Sequence, residues 1–189
     1  MLTTTPAIVL SVLRHNDKCD ILRAYTRTGG RINYIMYGHK NRPAPLSIVE
    51  LSYDYQPTRD IQTIKSIQLV SSAVGDENAL LTASRDCVKL FVAEILLGVF
   101  THSMEDELMY DFIQSTVQDI ESCDDPQNAH LRFMLGLLEQ LGFGSIDMEI
   151  PTTRGDRQRA LRQLCSYYAE HIDGFTTPKS LDILMEVFD

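Results

Sequence analysis

Polar and apolar positions alternate with a period of two through the first seventy residues. Pro6 to Leu13 is apolar and β-branched, and it stops at the polar run His15-Asn16-Asp17-Lys18. Ile21 to Thr26 predicts a second strand, closed by Thr28-Gly29-Gly30, where glycine supplies the positive φ of a turn. Arg31 to Tyr37 sets Ile32, Tyr34 and Met36 on one face and Asn33, Ile35 and Tyr37 on the other. Gly38 to Pro45 reads as a loop. Leu46 to Tyr55 predicts a fourth strand, Gln56-Pro57-Thr58 a turn, and Ile61 to Val70 a fifth strand. Five short antiparallel strands in so little chain suit a closed barrel, which leaves no strand edge exposed. An OB-fold is the expected form, with an SH3-like barrel as the alternative.

Beyond Gly75 the period changes to about 3.6 residues. Ser84 is placed to cap a helix carrying Val88, Phe91, Val92, Ile95, Leu96 and Val99 on one face. Ser103, with Asp106 three residues on, predicts the start of a second helix that runs to the break at Asp124-Asp125-Pro126. Gln127 to Leu141 is a third, with Gly142 as its stop. Gly144 to Pro151 is irregular, Arg154 to His171 is a fourth helix, and a short last helix carries Leu181, Leu184, Met185 and Phe188. The expected class is α+β: a five-stranded OB-fold barrel over residues 1–72, then an all-helical domain over 73–189, with no internal repeat.

Composition narrows the setting. Hydrophobic residues make up 44 %, as in globular chains, so disorder is not expected. No apolar run approaches the ~20 residues of a membrane span, and the start Met1-Leu2-Thr3-Thr4-Thr5-Pro6 carries no basic residue, so neither a membrane anchor nor a secretory signal is expected. Cys19, Cys87, Cys123 and Cys165 stand far apart with no Cys-x-x-Cys pair, which argues against a zinc knuckle or a disulfide framework. Together these features point to the reducing cytoplasm.

Charge is unevenly spread. The net charge is −9, yet residues 1–70 hold nine Lys/Arg against five Asp/Glu, and residues 71–189 hold eight against twenty-one. Such asymmetry between halves hints at a nucleic-acid-facing lobe. The phosphate-binding, dinucleotide, zinc-protease and serine-hydrolase motifs are all missing. The five histidines are scattered, and the Glu105-Asp106-Glu107 cluster complements a helix N-terminus without any need for chemistry. No catalytic, cofactor or metal residue is therefore assigned.

The pattern that does suggest function is basic and aromatic. Arg14, Lys18, Arg23, Arg27, Arg31, Lys40 and Arg42 fall within 29 residues opposed by only Asp17 and Asp20, interleaved with Tyr25, Tyr34 and Tyr37. Single-strand binders need cations that track phosphates and flat rings that stack bases. Those seven cations, with Tyr34 and Tyr37 as stacking rings, are the candidate nucleic-acid contacts. The alternative is that the tyrosines fill the barrel and the cations merely solvate it. A second cluster, Arg154, Arg157, Arg159 and Arg162, opens the fourth helix against its dipole. It suits phosphate or an acidic peptide, or else faces acidic groups of its own domain.

An ordered series of short motifs runs through Ile8-Val9-Leu10, Asn16-Asp17-Lys18, Tyr25-Thr26, Gly30-Arg31, Gly38 and Pro45-Leu46-Ser47-Ile48-Val49-Glu50-Leu51, then Phe91-Val92-Ala93-Glu94-Ile95-Leu96, Asp111-Phe112-Ile113 and His130-Leu131-Arg132-Phe133. The series resembles the RecO family of bacterial recombination mediators. The resemblance implies an N-terminal OB-fold, binding of single- and double-stranded DNA, and annealing of complementary strands. It also implies help in placing RecA on strands coated by single-strand-binding protein (SSB), with RecR and the C-terminal tail of SSB as partners. It places a DNA contact on Lys40 and Arg42, which follow Gly38. It further implies a non-enzymatic role in the DNA damage response, in the bacterial cytoplasm close to the nucleoid. The chain departs from the family in lacking the paired cysteines of a zinc element, and in having short segments after Gly38 and between Phe143 and Arg154. A protein-interaction adaptor whose groove takes an acidic peptide tail is the second reading.

Overall fold

The computed structural model describes residues 2–38, 42–70, 78–103 and 105–188. Its chain divides into two compact units, one of Met1–Val74 with Phe100–Val117 and one of Gly75–Val99 with Gln118–Asp189.

The first unit is built on a closed barrel of β1 (Leu2–Arg14), β2 (Cys19–Thr26), β3 (Gly30–Tyr37), β4 (Ile48–Asp54) and β5 (Ile61–Leu69), in the order β1-β2-β3-β5-β4 with β4 returning to β1. This is an OB-type arrangement, as the alternating pattern predicts. β1 serves two neighbours: Leu2 to Ile8 pair with β4, and Ala7 to Arg14 pair with β2. A bulge between Val9 and Ser11 bends the strand so that one ladder gives way to the other. Not every pairing is antiparallel. β5 runs antiparallel to β4 but parallel to β3, with Asn33 opposite Ile61 and Ile35 opposite Thr63, because closing the ring brings β5 against β3.

Inward positions follow the period of two. Val9, Leu22, Ala24, Tyr34, Met36, Val49, Leu51, Tyr53 and Ile64 form the barrel core. The fourth strand begins two residues later than its apolar pattern suggests. Leu46 sits at φ 60, a left-handed backbone that ends strand geometry. It is held there by full burial and by its N–H donating to the Val9 carbonyl at 2.7 Å. Phe100, just beyond the barrel in space, packs its ring on Tyr25 at 4.9 Å. Burial, and then Asp106, push the Tyr25 phenol up to about 12.

The helices are α1 (Ala79–Val99), α2 (Glu107–Ser122), a 3-10 turn at Pro126–Asn128 leading into α3 (Ala129–Gln140), α4 (Arg154–His171) and α5 (Leu181–Val187). Two starts differ from the pattern. Asn78 Oδ1 accepts the Leu80 and Leu81 N–H groups and so caps α1, while Ser84 lies inside the helix with its hydroxyl turned back to the Leu80 carbonyl. Asp106, not Ser103, caps α2 by accepting the Met109 N–H at 3.0 Å; the Ser103 hydroxyl donates to the Gly29 carbonyl instead. α3 ends as expected at Gly142, φ 85, where Phe143 N–H reaches the Leu138 carbonyl. Thr153 caps α4 through Asp156. In the second unit α1 packs on α3 and α5, and α3 on α4, around Phe91, Ile95, Met134, Leu137, Leu164 and Tyr168. Glu94 of α1 accepts both the N–H and the hydroxyl of Ser180, which fixes the start of α5.

Candidate nucleic-acid interface

The outward side chains of β2 and β3 form rows set by strand register. Cys19 faces Tyr37 at one end, where the β1–β2 turn carries Lys18. Next comes the row Leu13–Ile21–Ile35–Thr63, then Ser11–Arg23–Asn33–Ile61, and then Tyr25 beside Arg31. From Tyr37 to Arg31 the strand covers roughly 20 Å at ~3.3 Å per residue. The face is therefore an apolar strip with a cation or polar group at intervals. Strands β2 and β3, with the loops after β1 and β4, are the surface by which OB-folds take oligonucleotides.

The candidate residues do not form one patch. Arg14 pairs with Asp17 at 2.6 Å in an exposed contact of little energy. Arg42 reaches Asp20 through two bonds of 2.7 Å. Asp20 is 0 % exposed, so Arg42 neutralises a carboxylate that β2 has turned inward at the barrel mouth. At the far end Arg27 lies over the Tyr110 ring at 4.9 Å and pairs with Asp111. Arg31 donates to the Phe100 carbonyl. Burial first, and then the Arg23 cation diagonally across the ladder, hold the Arg31 guanidinium below its ordinary range. Among the described residues neither Lys18 nor Arg23 meets a carboxylate. Lys40 lies outside the described residues.

Two expectations about this cluster are corrected. Tyr34 is no stacking platform. It is 0 % exposed, edge-on to Tyr53 at 5.1 Å in the barrel core, because β3 points its even-numbered side chains inward. Tyr37, of the opposite parity, is 66 % exposed and keeps a ring for a base. The idea of a single uncompensated basic patch also fails: Arg14 and Arg42 are taken up by Asp17 and Asp20, the two carboxylates of the same stretch, and Arg27 by Asp111 from far along the chain.

The arginines of α4 likewise separate. Positions 154 and 157 lie on one side of the helix and 159 and 162 on another, as the 3.6-residue period requires. Arg157 is buried at 8 % exposure, and with Arg154 it lines a small cavity beside His130 and Phe188. Arg159 and Arg162 are exposed along a shallow depression of about 560 Å3 that continues to Tyr167 and Glu170, with Arg159 pairing Asp156 at 2.9 Å. A groove edged jointly by Arg154, Arg157 and Arg159 is therefore not present.

Three side chains that lie outside the basic and aromatic run of residues 14–42 join this face. Arg59 and Tyr55, on the β4–β5 turn, and His102 stand with Arg31 and Asn33 around a groove of about 380 Å3. The turn was legible, but its closeness to β3 depends on the parallel β3–β5 pairing. Among the described residues no group of three or more His, Cys, Asp or Glu is placed to hold a metal ion, and no helix is long and apolar enough to cross a membrane.

Barrel, outward face and helical second unit define an OB-barrel protein with a helical extension. The family model for the N-terminal part of recombination protein O matches residues 1–73, and that for its C-terminal part matches residues 88–146. The chain belongs to the RecO family and is a DNA repair protein. Its relatives include the DNA repair protein RecO of Azobacteroides pseudotrichonymphae, 25 % identical over 244 aligned positions that cover all of both chains. Those of Bacteroides fragilis and Porphyromonas gingivalis are 24 % and 25 % identical over 245 and 248 positions, again covering all of both chains. Alignments of that length against 189 residues mean that the relatives carry internal segments this chain lacks.

Proposed function

We propose that the barrel binds single-stranded DNA along its β2–β3 face. The protein then acts as a non-enzymatic mediator that anneals complementary strands and helps load RecA, together with RecR and SSB. The carrying observation is the run of outward rows from Lys18 and Tyr37, past Ile21, Ile35 and Arg23, to Arg31. Phosphates would meet the cations at intervals while bases lie against Tyr37 and the aliphatic strip. Neutralising phosphates on two strands lowers their mutual repulsion, which lets pairing nucleate without a nucleotide cofactor. Because Arg27 and Arg42 already hold carboxylates, Lys18 and Arg23 should carry more of the phosphate contact than they do. Double-stranded DNA would use the same cations without the stacking.

Lys18→Ala and Arg23→Ala are each expected to weaken binding of an oligothymidylate and to lower the slope of log affinity against log salt by about one. Fluorescence anisotropy of a labelled oligonucleotide across a salt series measures both. Unchanged affinity and slope in the double variant would turn the reading toward the adaptor. That second reading has one specific support, the exposed Arg159 and Arg162 beside Tyr167 on a strongly acidic half of the chain, which suit the acidic tail of SSB. The two readings are compatible, since they use different units.

A further inference from the structure

The groove at the β4–β5 turn is built more firmly than a surface loop requires. Gln62, the second residue of β5, is 5 % exposed. Its Oε1 accepts the Gln56 N–H at 2.9 Å, and its Nε2 donates to the Gln56 and Arg59 carbonyls at 3.0 and 2.7 Å. One buried amide thus fixes both ends of a short turn that would otherwise sample several conformations. What the turn presents is Tyr55, 45 % exposed and edge-on to Tyr53, and the exposed guanidinium of Arg59. Among the described residues no carboxylate pairs with Arg59. The groove is also lined by Arg31 and Asn33 of β3 and by the exposed imidazole of His102. Asp60 is the single carboxylate of the lining.

We infer that this groove is a nucleotide subsite, in which Arg59 and His102 hold one phosphate and the Tyr55 ring stacks its base. The inference rests on the reading of the β2–β3 face as a single-strand path, and it extends that path past Arg31 to a defined end. The volume of about 380 Å3 falls within the ~300–1,000 Å3 range of small-ligand sites, enough for one nucleotide. The chemistry favours a nucleotide over an acidic peptide. An aromatic ring and a cation are presented by one short turn, and the same groove is lined by Arg31 and Asn33 of β3, which belong to the outward rows. Gln62 pre-orders the turn, so little conformational freedom is lost on binding.

The sequence contains no tryptophan, so Tyr55→Trp introduces a unique emitter at the proposed stacking position. Saturating oligothymidylate is expected to quench that emission, with the quench and the anisotropy change of a labelled oligonucleotide sharing one midpoint. Arg59→Ala is expected to weaken binding about fivefold to tenfold and to lower the salt slope by about one. Tyr55→Ala is expected to weaken it about tenfold, with Tyr55→Phe close to native, since stacking needs the ring and not the hydroxyl. Circular dichroism confirms that each variant is folded, and Arg59→Ala tests the site even if Tyr55→Trp perturbs the turn. Binding that Lys18→Ala weakens while Arg59→Ala and Tyr55→Ala leave it unchanged overturns the subsite and spares the face. A quench produced by an acidic peptide but not by the oligonucleotide overturns it in favour of a protein partner. No binding at any salt concentration removes the face and the subsite together.

Discussion

His130 offers the sharpest physical test of the helical unit. Its ring is 1 % exposed, edge-on to Phe91 and stacked on Phe188, and neither nitrogen has a hydrogen-bond partner among the described residues. Burial, and then the nearby Arg157 cation, lower its pKa from 6.5 to about 3. The folded protein therefore keeps the ring neutral, while the unfolded chain takes up a proton below about pH 6.5. Stability linked to this group is complete above that pH and falls as the solution is acidified toward the folded value. At pH 4.5 the gap is two pH units from the unfolded value, or about 3 kcal/mol at ~1.4 kcal/mol per unit. His130→Phe keeps an aromatic ring between Phe91 and Phe188 and removes both unpartnered nitrogens. It is expected to stabilise the protein by about 1–2 kcal/mol at pH 7 and to widen its advantage by about 3 kcal/mol at pH 4.5. Urea unfolding of both proteins at pH 7, 5.5 and 4.5 measures the difference, in which the common carboxylate titrations cancel. Curves that stay parallel across this range would show that the ring is hydrated or hydrogen-bonded, and the argument from burial would be wrong.

Other outcomes follow from the same geometry. Arg42→Ala removes two hydrogen bonds from a guanidinium to the buried Asp20 carboxylate and is expected to cost about 2–3 kcal/mol, part of the range for breaking a buried pair because Arg42 itself is partly exposed. Arg14→Ala, which opens only an exposed pair, is expected to change stability by less than about 0.5 kcal/mol; equal effects in urea unfolding would contradict this contrast. Gly98→Ala would set a Cβ 2.9 Å from Phe175 Cδ2, so a loss of about 1–3 kcal/mol is expected, read as a lower thermal midpoint. A native midpoint would mean that the Phe175 ring yields freely.

Period and punctuation in the chain determined the list of elements. Strands need only alternation and turn residues, both local, and so Ile21 to Thr26 or Arg31 to Tyr37 could be placed to within a few residues, as could Arg154 to His171 by its 3.6-residue repeat. The parity rule alone even separates Tyr34 from Tyr37, since successive strand residues point to opposite faces; what it leaves open is which face is inside. Closure of the barrel decided that, and put Tyr34 in the core. Helix starts were less legible because several polar residues compete for the cap, and Asn78 and Asp106 prevail over Ser84 and Ser103 through backbone geometry that the string of letters does not contain. Charge was legible as a total and not as a field. Asp20 and Asp111 reach Arg42 and Arg27 only after folding, from 22 and 84 positions away. The groove of Arg59, Tyr55 and His102 arises the same way, from a parallel contact between strands distant in sequence, because proximity in a folded chain is a property of topology and local pattern carries none of it.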